Sequence, residues 1–315
     1  MATSVVAARA VTPPTPATRP RALPSPEAIV AAESENRLVL VNLRSGRVIR
    51  GVPLPADPEY IAADRRVIVA VSAGAGAVTV LARSSLRRIR EVTGFGSPHI
   101  PLISPSRAYA YVTDDARGTL TTIRLNDDQV TSTIFVGAGA HHISISPDGR
   151  ALWIALGQSA SRIAVVNSSD PARPRLVGSF EPGFLAHAVV FTPDGRRVWI
   201  SSASGPDVGV FSAVDHRLLF RVPGGSPPQH IAFAGSSAYL TSGYGSTIER
   251  VSLAAGRVLR RVSAPYGSFE LDAGSGFVVT SSLFRGTLSI YDYGLDLERT
   301  LSIAPATEDV VISPS

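Results

Sequence analysis

One segment of the chain is written twice. His141-His142-Ile143-Ser144-Ile145-Ser146-Pro147-Asp148-Gly149-Arg150-Ala151-Leu152-Trp153-Ile154 returns as His187-Ala188-Val189-Val190-Phe191-Thr192-Pro193-Asp194-Gly195-Arg196-Arg197-Val198-Trp199-Ile200. Each copy is an apolar run rich in β-branched residues, a Pro-Asp-Gly turn and a second apolar run, which together spell a hairpin. A third copy runs from His99 through Ser104-Pro105-Ser106 to Tyr109-Ala110-Tyr111-Val112-Thr113, and copies with shorter turns begin at Glu59, His230 and Phe269. A last one begins at Glu308 and has eight residues. The spacings between starts are 40, 42, 46, 43, 39 and 39 residues. No other property limits the fold as much: four-stranded units repeating at about 40 residues are blades of a β-propeller. Parallel β-helix repeats are far shorter, and solenoids of this period are helical, whereas helical periodicity is absent here.

The third unit shows the four strands most clearly, at residues 143–146, 152–156, 162–167 and 176–180, each short and bounded by Gly, Pro, Ser or Asp. Its inserted turn, Asn167-Ser168-Ser169-Asp170-Pro171-Ala172-Arg173-Pro174, accounts for the spacing of 46. Residues 27–58 read as three further strands, at 28–31, 37–42 and 47–49, and these plus the eight residues from Glu308 complete one more unit. The prediction is an all-β, seven-bladed propeller of four-stranded antiparallel blades spanning 27–315. Its ring closes through a blade shared by the two ends of the chain, so that no long sheet edge stays open.

Around Ser146-Pro147-Asp148-Gly149-Arg150-Ala151-Leu152-Trp153-Ile154 and Tyr109-Ala110-Tyr111-Val112-Thr113 the chain resembles the YVTN-type, YncE-like seven-bladed propellers of bacteria, which are related to the lactonase-type propellers. The resemblance covers about nine tenths of the chain and leaves out only the leader. It implies the fold, and an exported or cell-envelope setting. It is poor for activity, because such propellers include binding proteins, lactone hydrolases, lyases and metal-carrying redox enzymes. No Trp-Asp dipeptide closes any unit, which argues against the WD40 type.

Composition excludes several mechanisms. All 30 basic residues are Arg and Cys is absent, so there is no P-loop or Schiff-base Lys, no thiol nucleophile and no Cys-bound zinc or iron–sulfur cluster. Neither Gly74-Ala75-Gly76 nor Gly137-Ala138-Gly139 has the third glycine of a dinucleotide loop. There is no Gly-x-Ser-x-Gly elbow. The net charge of +5 is concentrated in residues 1–26, which hold six prolines, three arginines and no acid, and which read as a disordered leader or linker; the remainder has 27 Arg against 25 acidic residues. Nucleic acid is therefore not an expected partner. No apolar run approaches the ~18 residues of a membrane span, and residues 1–11 make no clear signal peptide. A monomer is expected.

In propellers of this kind the first strand of each blade lines the central channel, so equal offsets in successive units lie at equal heights. The starting offset reads Glu59, His99, His141, His187, His230, Phe269 and Glu308, which holds four of the six histidines. With the adjoining His142 and Glu270, these residues form the candidate ligand funnel. Imidazoles on four adjacent blades flanked by glutamates suit zinc, copper, iron or manganese, so a divalent ion held by His99, His141, His187, His230, Glu59 and Glu308 is one expectation. Acid–base catalysis is a second, and a third is that each His merely caps the start of its strand while the channel holds water. Glu33, Glu35, Asp114, Asp115, Asp207 and Glu270 make the top turns mildly acidic, whereas Arg gathers in the lower ones, so a cation is a better fit for the funnel than a phosphate. Phe95, Phe184 and Tyr266 precede their offsets closely enough to offer a stacking platform. These readings point to a binding module that takes a small ligand or a protein segment at its top face; the alternative is a propeller enzyme, a metal-dependent lyase or lactonase-like hydrolase, working through the His/Glu ring.

Overall fold

The structure, a computed structural model, describes residues 25–127, 129–227 and 230–313. Most of the leader expectation falls on residues 1–24 and so lies outside the described residues. Twenty-eight strands form seven four-stranded antiparallel sheets, and the 3-10 turn Glu33–Glu35 is the one helical element among the described residues. Blade 1 comprises Pro58–Ala63, Val67–Ser72, Ala77–Ala82 and Arg88–Thr93, here named strands A to D from the channel outward. Strand A of blades 2 to 6 is Pro98–Ile103, Ala140–Ile145, Ala186–Phe191, Ile231–Ala234 and Leu271–Gly274 in turn. Blade 7 joins the chain ends: its strand A, Val310–Ser313, pairs antiparallel with strand B, Glu27–Ala32, in the register Glu27 to Ser313 through Val30 to Val310.

Burial grades outward. Strand B lies between two neighbouring sheets and is buried on both faces: Val67–Ser72 and Phe277–Ser282 are buried at every position, while the D strands are largely exposed. Each interblade space is a separate core. Val69, Val71 and Val80 of blade 1 meet Ala110, Val112 and Ile123 of blade 2, and the closing blade repeats the pattern, with Val30, Val39 and Val310 packed on Val279 and Ile290 of blade 6. The turns that ended each hairpin in the sequence are locally satisfied. Asp148 accepts bonds from the Ser146 hydroxyl (2.6 Å) and the Arg150 amide (3.0 Å), with Gly149 at φ 75°, and Thr192, Asp194 and Gly195 repeat the arrangement. No helix among the described residues is long and apolar enough to cross a membrane.

Candidate functional site

Strand A of blades 1 to 4 has one irregularity in common. Pro58 pairs with Ser72 but Ile61 with Ala70, and the same one-residue slip separates Pro98 from Pro101, Ala140 from Ile143 and Ala186 from Val189. Two residues of strand A thus face one of strand B, a β-bulge. In a regular strand consecutive side chains point to opposite faces, whereas a bulge re-aims one of them. This is how both His141 and His142 join the same cluster, and how both Glu59 and Tyr60 reach the cavity wall. The sequence places the start of the third unit at His141 and its first strand at 143–146; the strand in fact begins at Ala140 and bulges across the two histidines.

Hydroxyls on strand B brace the bulges. Thr113 accepts from the Ile100 amide (3.1 Å) and donates to the His141 carbonyl of the next blade (2.8 Å). Ser201 accepts from the Ala188 amide (3.0 Å), Thr241 donates to the Phe269 carbonyl, and Ser281 donates to the Glu308 carbonyl. The heights of His141, Phe269 and Glu308 are therefore set partly by a neighbouring blade.

The funnel ends in a cavity of about 330 Å³. Eight of the nine expected residues line it: Glu59, His99, His141, His187, His230, Phe269, Glu270 and Glu308. The ninth, His142, is packed among the other imidazoles, 4% exposed, with ring centroids 4.7 Å from His141, 4.3 Å from His187 and 5.0 Å from His230. His99 and His141 stack at 3.7 Å. All five histidines are buried. The sixth, His216, lies elsewhere, stacked on Phe180 and edge-on to Trp153.

Four of the rings have an oxygen from outside the cluster within 3.7 Å of Nδ1. His187 bonds the Gln158 carbonyl (3.0 Å), His230 lies 2.8 Å from a Glu270 oxygen, His141 3.4 Å from Asp115, and His99 3.7 Å from Glu59. Nε2 of His187 and Nε2 of His230 meet at 3.0 Å, while Nε2 of His99 and of His142 and Nδ1 of His141 are buried without a hydrogen-bond partner. The tautomers follow from what each oxygen can do. A carbonyl only accepts, so His187 carries its proton on Nδ1 and offers a lone pair at Nε2; His230 must then donate from Nε2, which leaves its own Nδ1 facing Glu270 as an acceptor.

The electrostatics agree. Burial, reinforced by the neighbouring imidazoles, holds His99 and His142 well below the usual histidine range, and burial pushes His187 and His230 down to about 3. Burial also raises Glu270 to about 8, so its protonated carboxyl can supply the hydrogen that His230 Nδ1 needs. Glu59 is raised to about 7, by burial first and then by Asp57 and Glu33, and Glu308 is raised well above the carboxylate range. Near neutral pH the cluster is a set of uncharged nitrogen donors ringed by carboxyls able to ionise if a cation arrives. Two triads of ligand atoms lie within 4.8 Å of one another, His99 with His141 and His142, and His142 with His187 and His230.

One side of the cavity is aromatic. Phe269 meets Tyr244 (4.9 Å) and Phe284 (5.6 Å), and Tyr266 stacks on Phe284 (5.3 Å). Of the residues read as a stacking platform, only Tyr266 reaches this group, backing Phe284 without lining the cavity; Phe95 and Phe184 pack into interblade cores. Tyr60 and Asp309 were missed by the sequence reading, although both lie one position after a starting offset, as His142 does. Asp309 accepts from the amides of Ile61 (2.8 Å) and Val310 (2.7 Å), which ties the closing blade to blade 1.

Fold and cup together define a seven-bladed β-propeller with a histidine-lined central site. No family model matches the chain, and no curated protein matches it in sequence. Solved structures match in fold. A functionally unknown protein from Desulfotomaculum acetoxidans is 16% identical with a TM-score of 0.81, over 92% of this chain and 99% of that one. Hydrazine synthase of Kuenenia stuttgartiensis is 16% identical with a TM-score of 0.74, over 90% and 100%. Apo AztD from Citrobacter koseri is 9% identical with a TM-score of 0.72, over 91% and 97%. Likeness at such identities shows the architecture alone.

Proposed function

We propose that the protein is a metal-binding propeller module whose small ligand is a divalent transition-metal ion, held in the top funnel by buried imidazoles. The observation that carries this reading is the orientation of the rings. Four histidines have an oxygen from outside the cluster beside Nδ1, as metal-bound histidines have a group behind them, and Nε2 of His99 and of His142 is left unpartnered inside the cluster. A histidine that only caps a strand would spend its inward nitrogen on a carbonyl. Neutral nitrogen donors favour Zn²⁺ or Cu²⁺ over Mg²⁺ or Ca²⁺, which prefer all-oxygen sites. The resemblance to YncE-like propellers adds an exported or envelope setting to this proposal.

The test is calorimetric titration of Zn²⁺ and Cu²⁺ into the wild type and into a His141→Ala/His187→Ala variant, with elemental analysis of the purified protein. Saturable binding in the wild type that is lost in the variant is expected, with a metal-dependent rise in melting temperature only in the former. Equal, negligible heats in both proteins overturn the reading.

A second reading, a metal-dependent propeller enzyme, is favoured by the aromatic wall, because the cavity runs past the histidines onto Phe269, Tyr244 and Phe284 and can seat an organic molecule beside the ion. Turnover of a lactone that stops on chelation and resumes with added metal supports it, and absence of turnover by the metal-loaded protein removes it.

A further inference from the structure

Resting on the metal-binding reading, we infer that the funnel holds two metal seats and that His142 serves both. The five rings are not arranged as one shell. His99 and His141 form one pair at 3.7 Å and His187 and His230 another at 4.9 Å, while His141 and His187, across the gap, are 6.4 Å apart. His142 stands between the pairs, edge-on to all four neighbours, at interplanar angles of 74° and 85° to the first pair and 68° and 73° to the second. Each pair completes a triad of ligand atoms only by including His142.

His142 differs from the other four rings in a second respect. Nδ1 of each of those has an outer oxygen within 3.7 Å, hydrogen-bonded in His187, which turns that nitrogen toward the scaffold and the other toward the cluster. His142 has ring contacts but no hydrogen bond or ion pair, and its Nε2 is buried without a partner. An imidazole pinned at neither nitrogen can give one to each side. Coordination through both releases the ring's single N–H proton to bulk water and leaves a bridging imidazolate between two ions. Outer carboxyls are distributed to match, with Asp115 and Glu59 behind the first pair and Glu270 behind the second.

Stoichiometry decides the matter. Zn²⁺ titrated into the wild type is expected to saturate at two equivalents per chain, and at one in both His99→Ala/His141→Ala and His187→Ala/His230→Ala. His142→Ala is expected to weaken both events. Because that variant alters a packed centre, the wild type loaded with two equivalents of Cu²⁺ provides an independent readout. Magnetic coupling through a shared imidazolate reduces its paramagnetic resonance signal below that of the same copper held singly by either double variant. Saturation of the wild type at one equivalent, or two equivalents with uncoupled copper, overturns the shared-ligand inference and leaves the metal reading intact. No saturable binding at all overturns the metal reading itself.

Discussion

Truncation after Thr307 removes strand A of blade 7 and should open the ring. The deleted strand carries Val310 and Ile312, 1% and 9% exposed, and hydrocarbon burial of that kind contributes about 2 kcal/mol per side chain. It also carries four ladder pairings with residues 27–30, at about 1 kcal/mol for each hydrogen bond. Two bonds to carboxylates hold it sideways: Ile61 donates to Asp309 (2.8 Å) and Ile312 donates to Asp272 (2.7 Å), so blades 1 and 6 both lose a tie. The loss is on the order of 5–10 kcal/mol, comparable to the whole stability of an ordinary domain. The truncated chain is expected to lose its cooperative thermal transition, followed by circular dichroism. Ile312→Ala, a graded version, is expected to lower stability by roughly 2–4 kcal/mol in urea unfolding. A truncated chain that melts at the wild-type temperature would refute closure by the terminal strand.

The metal-free protein should be most stable at about pH 6 to 7, with stability falling on both sides. His187 and His230 are held at about 3 when folded. Against an unfolded value of about 6.5, the unfolded chain takes up protons first, so stability drops as pH falls below about 6.5, by up to roughly 1.4 kcal/mol per unit for each ring. Glu270 is raised to about 8, so its contribution is complete below the unfolded value of about 4.5 and is lost as pH rises through about 8. Urea midpoints across pH 4 to 9, with that range chosen at roughly two units either side of the expected maximum, check the shape; a curve that rises steadily in either direction contradicts it. Thr113→Val keeps the shape of the side chain but removes the brace on His141, and is expected to cost about 1–2 kcal/mol of stability and to weaken Zn²⁺ binding, both measured on the purified variant.

What was legible in the sequence had local causes. The Pro-Asp-Gly turns at 147–149 and 193–195 are set by bonds from backbone amides to side chains within five residues, and the strands by alternation of apolar residues, so blade number and closure could be read by counting. The starting offset located seven cavity-lining residues for the same reason, since equal positions in a ring lie at equal heights. The rest depended on a register shift. Strict alternation places His142 behind the wall, pointing away from His141, and nothing in the spelling His141-His142 announces that strand A carries an extra residue there. Only pairing with Leu156 and Ile154 of strand B reveals the slip. The aromatic wall was hidden similarly: Tyr244 and Phe284 belong to turns between strands B and C, and they meet Phe269 only because adjacent blades bring their top turns together.

The cup has an energetic logic that links the ring to the site. A buried nitrogen without a hydrogen bond costs about 1–3 kcal/mol, and at least Nε2 of His99 and of His142 are in that state. A single small core would not tolerate several such groups, whereas seven interblade cores, each packed separately, can offset them. Charge would be costlier still, and burial works against it, pushing the imidazoles of His187 and His230 down and the carboxyls of Glu270 and Glu308 up. Donors that have already shed their water cost a cation little further desolvation of the protein on entering. On the metal-binding proposal, the penalty carried by the folded chain would be the source of affinity for an ion, and the bulges that create it lie where strand B hydroxyls of the same blade and of the preceding one hold them.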